Sequence, residues 1–154
     1  MLPLSFTQCV TAGIALVAKQ YPKAELLEAL CTSPKVGYVN SPSEFTNLDL
    51  VFRANDGTWG SVRMNTTNCA DFALEYVSEP VMDDVAIPWP VEKDAVQADQ
   101  YLKESSYPSA YDSMLLRWPF YPGDDEPYYI FHLEKYGDLF AFVPTRSIKI
   151  CLSK

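Results

Sequence analysis

The chain has 154 residues, enough to bury a sizeable core as one domain or as two small halves. Its 48% hydrophobic and 21% charged composition is that of an ordinary globular protein, which excludes a disordered chain and a bundle of membrane spans. Twenty acidic against twelve basic residues leave a net charge of −8, which opposes nucleic acids and anionic membranes because binding either needs Lys and Arg to neutralise phosphate.

Ser5-Phe6-Thr7-Gln8 has the form of a capping box and opens a helix whose apolar stripe is Phe6, Val10, Ile14 and Val17. The helix closes before Tyr21-Pro22, since the residue ahead of a proline is pushed out of helical geometry. The apolar run 9–18 is too short to cross a bilayer and no Lys or Arg precedes it, so it reads as this helix and not as a leader. An intracellular location is the expectation, with secretion left open. A strand is expected over 25–32, a loop over 33–42 containing Tyr38, a hairpin of 48–54 and 59–65 turning at Asn55-Asp56-Gly57, and a strand over 73–77. Residues 79–90 form a proline-rich, extended linker. The second half runs through a helix over 91–103, Tyr107-Pro108, a strand over 112–118, a hairpin of 128–134 and 139–143 turning at Tyr136-Gly137, and a last strand over 147–152.

Part of the second half repeats the first. Ala18 to Leu30 returns as Glu104 to Leu116 with Tyr-Pro in register, and Leu50-Val51-Phe52-Arg53 ahead of Asp56-Gly57 returns as Tyr129-Ile130-Phe131-His132 ahead of Tyr136-Gly137. The expected fold is therefore α+β: two similar helix-on-antiparallel-sheet units, 1–78 and 91–154, each a helix followed by about four strands, joined by the linker into one compact protein. The helix end Ala18 to Glu28 and the hairpin Leu50 to Trp59 resemble PepSY-like domains and, more loosely, cystatin-like folds. The second half departs from that pattern at Tyr111-Asp112-Ser113 and at Lys135-Tyr136-Gly137. The resemblance implies a non-catalytic role, either inhibiting a peptidase or mediating an interaction. The expected partner is a protein or a small apolar ligand, and no cofactor is expected.

Four cysteines, Cys9, Cys31, Cys69 and Cys151, are compatible with two disulfides, but their wide spacing contains no paired Cys-x-x-Cys zinc pattern. In a reducing compartment they are expected to be free thiols acting as small buried hydrophobes. No metal site is expected.

Strand alternation sorts 128–134 into two faces, with Tyr129, Phe131 and Leu133 under the helix and Tyr128, Ile130, His132 and Glu134 on the other side. His132 is the sole histidine and so the one side chain whose ordinary pKa suits proton transfer near neutrality. In an enzyme reading it is the acid or base, Glu134 orients it, and Tyr128 donates to a developing oxyanion; a solvated strand histidine is the competing account. Trp118-Pro119-Phe120-Tyr121 is an extended aromatic run that buries poorly and is the expected contact surface. Trp89, between two prolines, either joins that surface or pins the linker to the core. Asp124 and Asp125 sit in an acidic turn that presents charge to a partner or is simply solvated. The loops carrying Tyr38 and Asp124 occupy equivalent places in the two halves and differ in chemistry, as two recognition loops would. The functional expectation is a non-catalytic binding or inhibitory module. The alternative is a cofactor-free isomerase, cyclase or lyase with an aromatic-lined cavity around His132, the chemistry that cystatin-like folds such as the SnoaL-like cyclases carry.

Overall fold

The computed structural model describes residues 1–79, 84–119, 125–147 and 150–153. Helix α1 (Phe6–Gln20) begins at the expected cap: Ser5 Oγ accepts from the Gln8 N–H and Gln8 Oε1 accepts from the Ser5 N–H, both at 3.2 Å. Its buried side is Phe6, Cys9, Val10, Gly13 and Val17. Helix α2 (Ala95–Glu104) starts later than the sequence suggested because Asp94 and Gln97 form a second capping box. The strands are β1 (Glu25–Thr32), β2 (Asn47–Arg53), β3 (Ser61–Thr66), β4 (Ala73–Val77), β5 (Tyr111–Arg117), β6 (Tyr128–Leu133), β7 (Phe140–Pro144) and β8 (Cys151–Ser153).

The expectation of two separate helix-on-sheet units is overturned. Among the described residues, all eight strands form one antiparallel sheet in the order β4-β3-β2-β1-β5-β6-β7-β8, stitched through its middle by Ala29↔Leu116, Leu30↔Leu115, Cys31↔Met114 and Thr32↔Ser113. The physical reason lies in β1 and β5 themselves. Each would be an edge strand in an isolated unit, yet Leu27, Ala29 and Leu30 in one and Met114, Leu115 and Leu116 in the other are apolar on both faces, as interior strands are. Pairing them removes two unsatisfied edges at once.

Both helices lie on one side of this sheet. Under α1 are Leu50 and Phe72, which crowd Gly13. Under α2, the Tyr111 hydroxyl donates to Asp99 at 2.6 Å and the Tyr129 hydroxyl donates to the Lys93 carbonyl at 2.8 Å. The core is continuous between them, since Phe6 of α1 meets Tyr129 of β6 edge-on at 6.0 Å. A methyl group at Gly13 would overlap Leu50 Cδ1 and come to 3.1 Å from Phe72. Gly13→Ala should therefore lose about 2 kcal/mol by overpacking and regain about 1 from helix propensity, a net destabilisation of about 1 kcal/mol. A rise in the urea midpoint for this variant would contradict the close approach of α1 to β2.

The expectation of four free thiols is also corrected. Cys9 of α1 is disulfide-bonded to Cys69, beyond β3, with a Cα–Cα distance of 5.1 Å and a sequence separation of 60. Only the packing of α1 over the β3–β4 connection brings them together, so spacing could not reveal the pair. Cys31 is free and buried, and burial followed by the nearby Asp49 charge raises its thiol pKa far above the ordinary value; Cys151 is free and exposed.

Glu126, beside the acidic turn, is a structural residue. Glu126 is 5% exposed and accepts from the Arg146 and Ser147 backbone N–H groups at 2.7 and 3.2 Å and from the Ser147 hydroxyl at 2.9 Å. Burial pushes its carboxyl up, but these donors and the Arg146 charge outweigh burial and hold it below its ordinary value. Beside it the buried Lys93 ammonium donates to the Pro144 and Ser147 carbonyls at 2.6 and 2.8 Å and lies 4.0 Å from the Tyr101 ring centroid. Together they tie the end of β7 to the start of β6 and to the entry of α2.

Candidate functional site

Among the described residues, the sheet face opposite the helices is an extended surface without a covering layer of helix. Register places a single row of side chains across all eight strands on this face: Ala73, Asn65, Asp49, Leu30, Leu115, Ile130, Phe142 and Cys151. Four consecutive members of this row, Leu30, Leu115, Ile130 and Phe142, are half-buried and apolar. Val51 and Tyr128 extend the patch on one side and Phe140 on the other, with Tyr128 meeting Phe142 edge-on at 6.4 Å.

Polar groups bracket this patch and are held by their own bonds. Asp49 accepts from Asn47 at 2.9 Å and from Asn65 at 2.8 Å, Asn65 also donates to Asn47 Oδ1 at 2.8 Å, and Asn47 donates to Thr32 Oγ1 at 3.3 Å. Arg117 bridges Glu28 at 2.6 Å and Asp84 at 2.5 Å. Two hollows flank the apolar row. One, of about 470 Å³, lies among Glu28, Leu30, Asp49, Val51, Arg63, Asn65 and Glu75. The other, of about 560 Å³, lies among Thr32, Ser33, Pro34, Gly37, Asp112, Ser113, His132 and Phe140.

His132 sits on this face as alternation suggests, but the carboxylate that meets it is Asp112 of β5, whose Oδ1 is 2.8 Å from Nδ1, and not Glu134. The ring packs against Phe140 at 4.8 Å. Glu134 lies past the end of β6, its N–H bonded to the Ala110 carbonyl at 2.9 Å. Tyr128 shares the face with His132 but is four strand residues away, about 13 Å at the usual rise, with Ile130 between them. His132, Glu134 and Tyr128 are thus not brought together around one small substrate, and the hollow at His132 is open. Among the described residues no group of three or more His, Cys, Asp or Glu side chains could hold a metal ion.

Of the expected aromatic contact surface, the described aromatic is Trp118. Trp118 is half-buried against the core and its Nε1 donates to the Ala86 carbonyl at 3.1 Å, while Trp89 donates from Nε1 to Thr11 Oγ1 at 3.1 Å and packs edge-on against Phe6 at 6.2 Å. Both indoles pin the segment 84–90 to the body of the protein. Phe120, Tyr121 and Asp124 lie outside the described residues. Tyr38 is exposed, and Asp125 is exposed beside Arg146 at 3.9 Å. Tyr38 and Asp125 do not share one surface, because Tyr38 follows the end of β1 and Asp125 precedes the start of β6, and these lie at opposite ends of the sheet.

Two residues that the sequence reading passed over stand out. Asp112 reaches His132 because a bulge between Tyr111 and Ser113 shifts the register of β5 by one residue. Trp59, expected at the start of a strand, is 84% exposed at the tip of the β2–β3 hairpin. The tip is stiff: Asp56 Oδ1 accepts from the Thr58 N–H at 3.2 Å and from its hydroxyl at 2.6 Å, and the Thr58 hydroxyl bonds the Tyr76 hydroxyl at 2.5 Å. Placement between Gly57 and Gly60 was the available signal, since glycine on both sides marks a turn and not a strand.

Among the described residues no helix is long and apolar enough to cross a membrane. No protein family's sequence model matches the chain, and no curated protein matches it. The chain is similar to a crystal structure described as that of a "putative lipoprotein" from Clostridium difficile 630, with a TM-score of 0.69 and 12% identity over 98% of this chain and 95% of that one. At that identity the two share a fold, and the fold is what the comparison establishes.

Proposed function

We propose that this chain is a non-catalytic binding module that uses the helix-free face of its sheet to hold a protein partner. The observation that supports this reading is the half-buried apolar row Leu30, Leu115, Ile130 and Phe142, contiguous across four strands and bracketed by hydrogen-bonded polar groups. An apolar centre with a polar rim is the composition of protein contact surfaces, whereas small-ligand sites enclose most of their ligand and the hollow beside His132 is open. We place the module in an oxidising compartment, outside the cytosol. The Cys9–Cys69 bond supports this, because structural disulfides persist there and are uncommon in reducing compartments, and the lipoprotein description of the structural neighbour is in keeping with it.

The test is partner retention from a native extract by wild type, Leu115→Lys, Ile130→Lys and Val96→Lys, the last on the exposed side of α2. Retention should fall at least tenfold for the two sheet variants and stay unchanged for Val96→Lys. Full retention by folded Leu115→Lys and Ile130→Lys would remove the proposed surface.

A further inference from the structure

An eight-stranded open sheet has two edges, and the two edges of this one are unlike. β8 has three residues, and a very short edge strand offers little to pair with. β4 has five, contains no Pro or Lys, and stays in unbroken register with β3 from Ser61↔Val77 to Asn65↔Ala73. Ala73, Glu75 and Tyr76 are exposed, and among the described residues no backbone group beyond β3 is bonded to β4. Its outer edge therefore carries backbone N–H and C=O groups in strand geometry with no protein partner among the described residues.

The two sides of this edge differ in chemistry. On the helix-free side Glu75 lies opposite Arg63 in register without an ion pair, beside Ala73 and next to a hollow whose other carboxylates are Glu28 and Asp49. On the helix side lie Leu74 and Tyr76, with the ring of Tyr76 packed over Gly60 and stacked on Tyr21 at 6.1 Å. A strand laid along the edge would therefore meet a carboxylate on one face and apolar side chains on the other. A second copy of this chain fits poorly, because the antiparallel self-pairing that engages all five residues centres on Glu75 and sets two carboxylates against each other.

We propose that the β4 edge captures an extended segment of a partner protein by strand addition. The segment alternates Lys or Arg with apolar residues, so that its cations lie beside Glu75 while its apolar side chains lie beside Leu74 and Tyr76. Backbone hydrogen bonds to the edge hold the segment and the alternation sets its register. This edge adjoins the helix-free face at Ala73 and Glu75 but is separated by at least three strands from Leu115 and Ile130 of its apolar row, so changes at Glu75 and changes at Leu115 or Ile130 test the two surfaces separately.

The experiment uses the whole chain and three fluorescein-labelled peptides: alternating Lys and Val, the same composition with all Lys before all Val, and alternating Glu and Val. Anisotropy titrations are combined with hydrogen exchange at the amides of 73–77. The alternating Lys-Val peptide should bind at least tenfold tighter than either control, protect the amides of 73–77, and bind at least tenfold more weakly to Glu75→Lys, an exposed position whose change leaves the fold intact. Equal affinity for the alternating and blocked Lys-Val peptides would mean simple charge attraction and overturn the proposal. So would absence of binding, binding that leaves 73–77 unprotected, equal affinity for Glu75→Lys, or protection of 73–77 by dimerisation of the chain alone.

Discussion

Replacing both Cys9 and Cys69 by Ser should lower the unfolding free energy by about 4 kcal/mol, the loop-closure entropy that a cross-link of this span removes from the unfolded chain. At this chain length that corresponds to a fall of about 10 °C in Tm. The bond joins the first turns of α1 to the connection between β3 and β4, so it fixes the helix against the half of the sheet remote from α2. Both sulphurs are buried, which also means that the Ser hydroxyls would have to find partners in an apolar site. Thermal unfolding with and without reductant provides the check. An unchanged midpoint in the double variant would show that the two cysteines do not cross-link the folded protein.

The second large effect is expected at Arg117. Its side chain is 13% exposed and bridges Asp84, which is 9% exposed, and Glu28, which is 25% exposed. Arg117→Met strands two carboxylates in largely desolvated positions, and removing one partner of such a network costs about 3 kcal/mol. The loss should come mostly from the abandoned carboxylates and not from the missing cation. Adding Glu28→Gln and Asp84→Asn to Arg117→Met should therefore recover more than half of it in urea unfolding. If the triple variant is no more stable than Arg117→Met, the bridge is not what holds the segment at Asp84 to β1 and β5.

How far the fold was legible depended on the distance over which its contacts act. The start of α1 was readable at Ser5 and Gln8, because a capping box is a four-residue device, and the hairpin turn at Asp56-Gly57 was readable because Gly57 must adopt a positive φ, observed at 92°. The faces of β6 followed from alternation, which set Tyr129, Phe131 and Leu133 in the core and left Ile130 and His132 on the other side. The joining of β1 to β5 had no such local signal. Leu30 meets Leu115 across most of the chain, and the same two-sided apolar pattern would suit a buried strand in a separate unit, so the halves were read as units when they share one sheet. The same gap hid the partner of His132, since a one-residue register shift at Asp112 cannot be seen in alternation. It also hid the fates of Trp89 and Trp118, whose indoles looked unplaced until Thr11 and the Ala86 carbonyl were brought beside them.

The account stands on the helix-free face being the surface that a partner covers. A photo-cross-linking amino acid installed at Leu115 or Ile130, with Val96 on α2 as the control, tests this in the native cell or extract. The predicted result is a discrete protein adduct from positions 115 and 130 and none from 96. An adduct from 96 with none from either sheet position would contradict it.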